Sequence, residues 1–336
     1  MIRKASRKKS LLRIGISGIS GTGKTLSALR IMHGIQKRLG GEKEIGRILV
    51  IDSEYESSDN YANKVISTSE GESHTLDYDI DPMTDIDEGA VDDMGNSIEN
   101  VFDPYHYIWK IKNAEKSGYK LLIIDSLTHS WQQQLQNVAI EQATNPHVNS
   151  FNVWSKDVGN PTYNKLNNAI LGFNGHVMVT FRQKKAYIIT VNEKGSMKPT
   201  QSGNGIEYRK EADYEYTLFL DNVDKKQNLF LVDKDRTGMF KNEIIVPDEK
   251  FGKRLTDWAM EGVGDIYIPR TQSSPRAKEL IEKITSAKEL LISDVFNSVK
   301  NVVFGEIKFN NSNDIRKLTK LRQALAQKYK NPKNRI

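Results

Sequence analysis

The chain has 336 residues, a formal net charge of +6, 38% hydrophobic and 8% aromatic content, and no cysteine. That supplies apolar material for one large domain or one domain with a small appendage; disulfides, thiolate zinc sites and cysteine nucleophiles are excluded, which fits a reducing compartment. No apolar run approaches the roughly 20 residues that cross a bilayer, and no long apolar stretch with a cleavage site follows the basic N-terminus, so neither a membrane span nor a secretory signal is expected.

Residues 1–10 read as a flexible basic arm with Arg3, Lys4, Arg7, Lys8 and Lys9. Leu11–Ser17 has the continuous apolar character of a buried strand, and Thr25–Leu39 the period of a helix stopped at Gly40 and Gly41. "RILVID" (Arg47–Asp52) is a second short strand. Residues 56–104 lack a clear period and read as an insertion, acidic at about 65–104, with a short strand near His74–Ile80 and otherwise loop or partly disordered chain. Tyr105–Ser117 predicts a helix closed by Gly118. "LLIID" (Leu121–Asp125) is a third strand, and a helix follows from about Leu127. Tyr163–Leu171 reads as helical, "GHVMVTFR" (Gly175–Arg182) as a strand, and "AYIITVNEKGSMKPT" as a hairpin turning at Glu193–Gly195. Tyr214–Leu220 and Leu229–Val232 alternate like strands of a mixed or antiparallel edge. Two prolines and a Ser pair in "DIYIPRTQSSPR" place a linker at 265–276, which ends the core of 11–264. Residues 277–336 then read as a small basic helical tail. Strands separated by helices at this spacing predict an α/β fold: a mainly parallel sheet flanked by helices.

Charge is spread unevenly. No Lys or Arg occurs from Val65 to Trp109, and residues 69–100 hold eleven carboxylates, so the rest of the chain carries +17. A remainder that basic suits a polyanion such as nucleic acid; a solvated surface with one acidic loop is the plainer alternative. "DYDIDPMTDIDEG" lacks the ligand spacing of an EF-hand.

Gly18, Ile19, Ser20, Gly21, Thr22, Gly23, Lys24 and Thr25 fit G-x-x-x-x-G-K-[ST] in full, with Leu26 next in the helix. Such glycines let backbone N–H groups curl around a phosphate, and the helix N-terminus adds partial positive charge. Lys24 is placed to reach the β- and γ-phosphates and the Thr25 hydroxyl to bind Mg2+, so ATP with Mg2+ is the expected ligand. Asp125, after four apolar strand residues, is the expected second magnesium group, a helix-capping Asp being the alternative. Glu54 in "LVIDSEYES" lies just past a strand end, where a water-activating base belongs; Asp52 and a plain turn are the alternatives. In "LVDKDRTGMF", Lys234 and Arg236 are two apart on an extended segment and point the same way. They either pair with surface acids or reach the γ-phosphate of a neighbouring subunit.

The P-loop, "VIDSE", "LLIIDSLTHSW", "HVMVTFRQK", "EADYEYTLFL" and "DKDRTGMF" come in this order. Over about residues 11–262 the chain resembles phage nucleotide-binding proteins of the RecA-like P-loop ATPase group, among them the phage recombination and annealing ATPases related to RadA. The resemblance implies a RecA-like core, with Glu54 as the catalytic glutamate and Lys234 and Arg236 as a K-x-R pair acting across a subunit interface. A ring or filament follows from that pair. Arg182, near where RecA itself has a Gln, falls at the γ-phosphate-sensing strand end, and Ser126 is a second group that would place the attacking water. His129 is a relay or a helix-packing residue, and Trp131 a core or interface residue. The DNA-facing loops would be about 141–162 and 183–210. The second carries Lys184, Lys185, Tyr187, Lys194, Lys198, Arg209 and Lys210, cations with an aromatic that suit single-stranded DNA; a solvated hairpin is the plain alternative. The acidic segment departs from compact members of the group and reads as a lid, a surface for a protein partner, or a mere insertion. The expected function is a DNA-stimulated, Mg-dependent ATPase of recombination, annealing or repair in the cytoplasm of a bacterial or phage-infected cell. A ring-helicase-like motor or loader, and a nucleotide-dependent scaffold such as one in phage defence, are the alternatives.

Overall fold

A computed structural model describes residues 4–67, 71–191, 197–209, 212–224, 226–263, 283–284, 321 and 323–325. It divides into two units: Met1–Ala90 with Ile98–Ile268, and Val91–Ser97 with Pro269–Ile336. In the second, Val91 bridges Ser97, and Asp92 Oδ1 accepts from the N–H groups of Met94 and Asn96. The predicted linker and most of the basic tail lie outside the described residues; the few described tail residues are helical.

The first unit runs β1 (Arg13–Gly18), α1 (Lys24–Arg38), α2 (Glu42–Ile45), β2 (Ile48–Asp52), a 3-10 turn (Ser57–Tyr61), β3 (Val65–Ser67), β4 (Ser73–Thr75) and β5 (Asp79–Pro82). It continues with α3 (Pro104–Lys116), β6 (Leu121–Asp125), α4 (Thr128–Thr144), α5 (Ser150–Ser155), α6 (Asn160–Gly172), β7 (His176–Val191) and β8 (Met197–Ile206). After a 3-10 turn (Ala212–Glu215) come β9 (Leu218–Asp224), β10 (Leu229–Asp235), β11 (Ile244–Ile245) and α7 (Glu249–Met260). β9, β1, β7, β6, β2 and β5 are parallel in that spatial order, and β10 and β11 extend the β9 edge antiparallel. This is the mainly parallel α/β sheet that the strand and helix spacing predicts. Among the described residues, no helix is long and apolar enough to cross a membrane.

The apolar runs are continuous because the sheet is covered on both faces. In β6, Leu121 and Ile123 pack into the layer under α1 and α7, while Leu122 and Ile124 pack into the layer with α3 and α6. Helices α1 and α7 touch backbone to backbone: a Cβ on Gly34 would lie 2.1 Å from the Glu249 carbonyl oxygen, and one on Gly252 2.1 Å from that of Ile31. Asp248 starts α7 by accepting from Phe251 N–H at 3.0 Å, and Asp103 starts α3 by accepting from Tyr105 N–H at 2.8 Å.

Three expectations change. The acidic segment is not wholly an insertion, because β5 is the edge strand beside β2. Its carboxylates are drawn inward by cations. Arg47 binds Asp77 at 2.6 Å and Asp79 at 2.9 Å, and buried Lys110 holds Asp81 and, at 2.8 Å, Asp87. The basic arm is docked at its inner end: Ser10 N–H donates to Ala259 O at 3.0 Å, and Arg7 donates to Trp258 O at 2.6 Å and covers the Trp258 ring. Helices α2, α5 and α7 add to the predicted elements.

Candidate active site

β1 delivers its last residue, Gly18, to the carboxyl end of the sheet, and the chain turns through Ile19–Thr22 into α1. Gly23 makes the turn with φ 76°, and a Cβ there would stand 2.9 Å from Asn228 Oδ1, so the position takes glycine on two counts. Thr22 Oγ1 closes the loop on Ile19 O at 2.9 Å. No side chain caps the N-terminus of α1 and its first turn has no acidic residue. Its free N–H groups and positive dipole end therefore suit an anion. Lys24 Nζ rests on Ile19 O at 3.1 Å. Burial lowers the Lys24 ammonium from its ordinary range, while Asp125 and Glu54 pull it back up.

Asp125 ends β6 one strand away from β7 and two from β1. Thr25 Oγ1 donates to its Oδ2 at 2.6 Å, and Thr180 Oγ1 donates to its Oδ1. Burial pushes the Asp125 carboxyl up to about 6 against these two donors. A hydroxyl and a carboxylate so close form the hard-oxygen set that Mg2+ takes. Thr180 is a site residue the sequence reading leaves out; its signal is a single polar residue inside the apolar run "VMVTF".

Asp52 and Glu54 separate clearly. Asp52 is buried, and its oxygens accept from Glu54 N–H at 2.6 Å, Ser58 N–H at 2.9 Å and Ser58 Oγ. It shapes the turn after β2. Glu54 projects towards β6 and β7: its Oε1 accepts from Ser126 Oγ at 2.8 Å and Arg182 Nε at 2.7 Å, and its Oε2 from Arg182 Nη2. Burial raises the Glu54 carboxyl, and the bonds from Arg182 and Ser126 more than reverse it, leaving it below the usual range. Ser53 Oγ lies 2.9 Å from the Ser126 N–H, the Ser126 carbonyl and His129 Nδ1. His129 stacks on Phe102 with ring centroids 4.9 Å apart, and burial holds it below its ordinary pKa. Trp131 packs among Trp154, Tyr163 and Tyr208 in the core.

With this geometry, a family model for an AAA domain matches residues 10–243. The chain belongs to this family of P-loop ATPases. No curated protein matches the sequence. The match runs through every strand from β1 to β10, so the AAA domain includes the whole parallel sheet together with Thr25 and Asp125.

Within the AAA domain the remaining predicted site residues fall in two places. Lys234 and Arg236 are at the far end of the sheet from the P-loop. β10 runs antiparallel to β9, so Asp235 is level with Leu218, which is level with Ile14 at the start of β1. Four residues of strand, about 13 Å, separate that level from Gly18. There Lys234 Nζ donates to Asp213 O and Arg236 Nη2 to Tyr214 O. Burial, with Arg236 adding to it, lowers the Lys234 ammonium.

The expected DNA-facing stretch 183–210 is an antiparallel β7–β8 ladder from Gln183–Ile206 to Val191–Met197. Lys184 and Lys185 are exposed on it, with Lys184 3.7 Å from Glu207. Tyr187 and Lys198 are in the ladder, but their side chains lie outside the described residues, as do Lys194, Lys210 and the turn at Glu193–Gly195. Arg209 is engaged by the fold: it donates to Asn160 Oδ1 at 2.9 Å and lies 4.5 Å from the Tyr163 ring centroid. At the root of the ladder, Gln183 Nε2 donates to Ser17 Oγ at 2.8 Å and Ser17 Oγ donates to Asp221, a polar cluster that the motifs do not reveal.

Proposed function

We propose that this AAA-domain protein is a RecA-like ATPase that works on single-stranded DNA, in recombination, annealing or repair of the phage type, as a ring or filament of copies. What carries the reading is the position of Lys234 and Arg236, remote from the chain's own P-loop. A phosphate they neutralise belongs to a neighbouring copy, so a complete site requires assembly. The position of Glu54, just past the end of the strand beside that of Asp125 rather than next to Asp125 in sequence, supports the same reading, as does the basic remainder of the chain.

ATP with Mg2+ supplies the phosphoanhydride to be cleaved and the metal charge that screens it. The P-loop N–H groups and Lys24 bind the phosphates. Thr25 and Asp125 hold the metal. Glu54 orients water and accepts its proton, and Ser126 keeps Glu54 turned towards it. Lys234 and Arg236 from the adjacent copy offset charge on the transferred phosphoryl group. The exposed cations of the β7–β8 ladder contact the DNA backbone.

The test is ATP turnover with and without single-stranded DNA, alongside DNA binding across a salt series. Stimulation, and binding that weakens with salt, are expected. If DNA neither binds nor changes the rate, the DNA reading fails. Strand displacement in the same preparation would favour a ring-helicase-like motor instead.

A further inference from the structure

Glu54 is clasped, and the clasp is at odds with its task. A general base needs a carboxylate that faces water and carries its charge. Here three donors occupy its two oxygens, and two of them come from the Arg182 guanidinium. The backbone of Arg182 cannot relieve this by moving. Its N–H donates to Thr128 Oγ1 at 2.9 Å, its carbonyl accepts from Glu207 N–H at 2.8 Å, and it stands in register with Gly18. The side chain, 37% exposed, is the movable part. Neighbouring strands are about 4.8 Å apart, so the guanidinium lies within one side-chain swing of the phosphate cradle. Its charge is already felt at Lys24.

We propose that Arg182 is a two-position latch: it clamps Glu54 while no terminal phosphate stands over the P-loop, and it transfers to that phosphate when ATP is held there, releasing Glu54 to meet water. The inference rests on the ATPase reading above and is independent of DNA. A guanidinium fork matches a carboxylate and a phosphate equally well in shape. The two anions therefore compete for one cation, and the more highly charged phosphate wins. ADP lacks the third phosphate and leaves the clamp closed. Arg182 acts through Glu54 and is a positioning residue. The latch would keep the resting site from wasting its base on stray water, and it ties activation to the nucleotide that is to be cleaved.

Competition has a signature in binding that needs no turnover. Glu54→Gln removes the carboxylate charge, so Arg182 is freed for phosphate. The affinity for a non-hydrolysable ATP analogue with Mg2+ is expected to rise about 5- to 50-fold over wild type, with ADP affinity unchanged. In an Arg182→Ala background the same Glu54→Gln change is expected to bring no gain. Arg182→Gln, closer in shape, serves as a second background should the alanine variant unfold. An ATP-to-ADP affinity ratio equal in wild type and Glu54→Gln would overturn the latch, as would a gain that persists without Arg182. If wild type binds neither nucleotide, the ATPase reading falls and the latch with it.

Discussion

Ser53 and Ser126 aim a carboxylate that neither of them resembles. The Ser53 hydroxyl sits between the Ser126 N–H, the Ser126 carbonyl and His129, and so ties the turn after β2 to the turn after β6. Ser126 then donates to Glu54. Ser53 is buried, so Ser53→Ala strands the Ser126 N–H away from water. A loss of about 1–3 kcal/mol of folding stability is expected, read from urea unfolding. Glu54→Gln keeps the size of the side chain and removes its basicity. Turnover is expected to fall about 10²- to 10⁴-fold with no loss of nucleotide binding, followed by calorimetry. Unchanged turnover would move the base elsewhere, with buried Asp52 the other carboxylate beside that turn.

Helix α1 is the element that joins the P-loop to the rest of the fold. Its far end is pressed against α7 through Gly34 and Gly252, with no space for a methyl group on either. Gly34→Ala or Gly252→Ala is expected to part the helices and to cost about 1–3 kcal/mol, measured by thermal or urea unfolding. The same helix carries His33, whose ring stacks on His74 of β4 at 4.1 Å; neither nitrogen of His33 has a hydrogen-bond partner, and His74 Nε2 lies 3.3 Å from Glu249 Oε1. Arg30 and Glu249, paired at 2.8 Å, stand beside them, with Lys37 and Lys253 nearby. Burial, helped by His74, lowers His33 to about 4 from 6.5. Between those values the unfolded chain binds a proton that the folded chain refuses. Stability is therefore expected to be whole above pH 6.5 and to decline as pH falls towards 4. His33→Phe should flatten that slope in unfolding curves taken at pH 7 and pH 5; an unaltered slope would assign it to other groups.

For the whole molecule, the proposed assembly turns on the P-loop and the Lys234–Arg236 pair lying at different levels of one sheet. A copy with Lys234→Ala and Arg236→Ala keeps its own phosphate site, and a copy with Glu54→Gln keeps its fingers. Each is expected to be inactive alone. Mixed in equal amounts, random assembly gives intact composite sites at about a quarter of interfaces, and turnover should recover to a comparable fraction. Recovery that fails at concentrations where size-exclusion chromatography shows mixed assemblies would mean that these cations do not act between copies.

By itself the sequence determined the P-loop, Asp125, Glu54 as a carboxylate just beyond a strand end, and the alternation of strands and helices. Each of these is a local pattern, in which glycine spacing, a carboxylate after four apolar residues or a period of 3.6 dictates the backbone within one turn or strand. The tertiary structure alone decided that Arg182 clasps a glutamate 128 positions away, that Thr180 completes the grip on Asp125, and that Lys234 lies level with Gly15, short of the P-loop end of β1. It also set the short strand expected near His74–Ile80 at the edge of the sheet as β5, with Asp79 and Asp81 held by Arg47 and Lys110. Strand register and ion pairing are settled between segments far apart in the chain, and such contacts leave no periodicity within either segment to be read in advance.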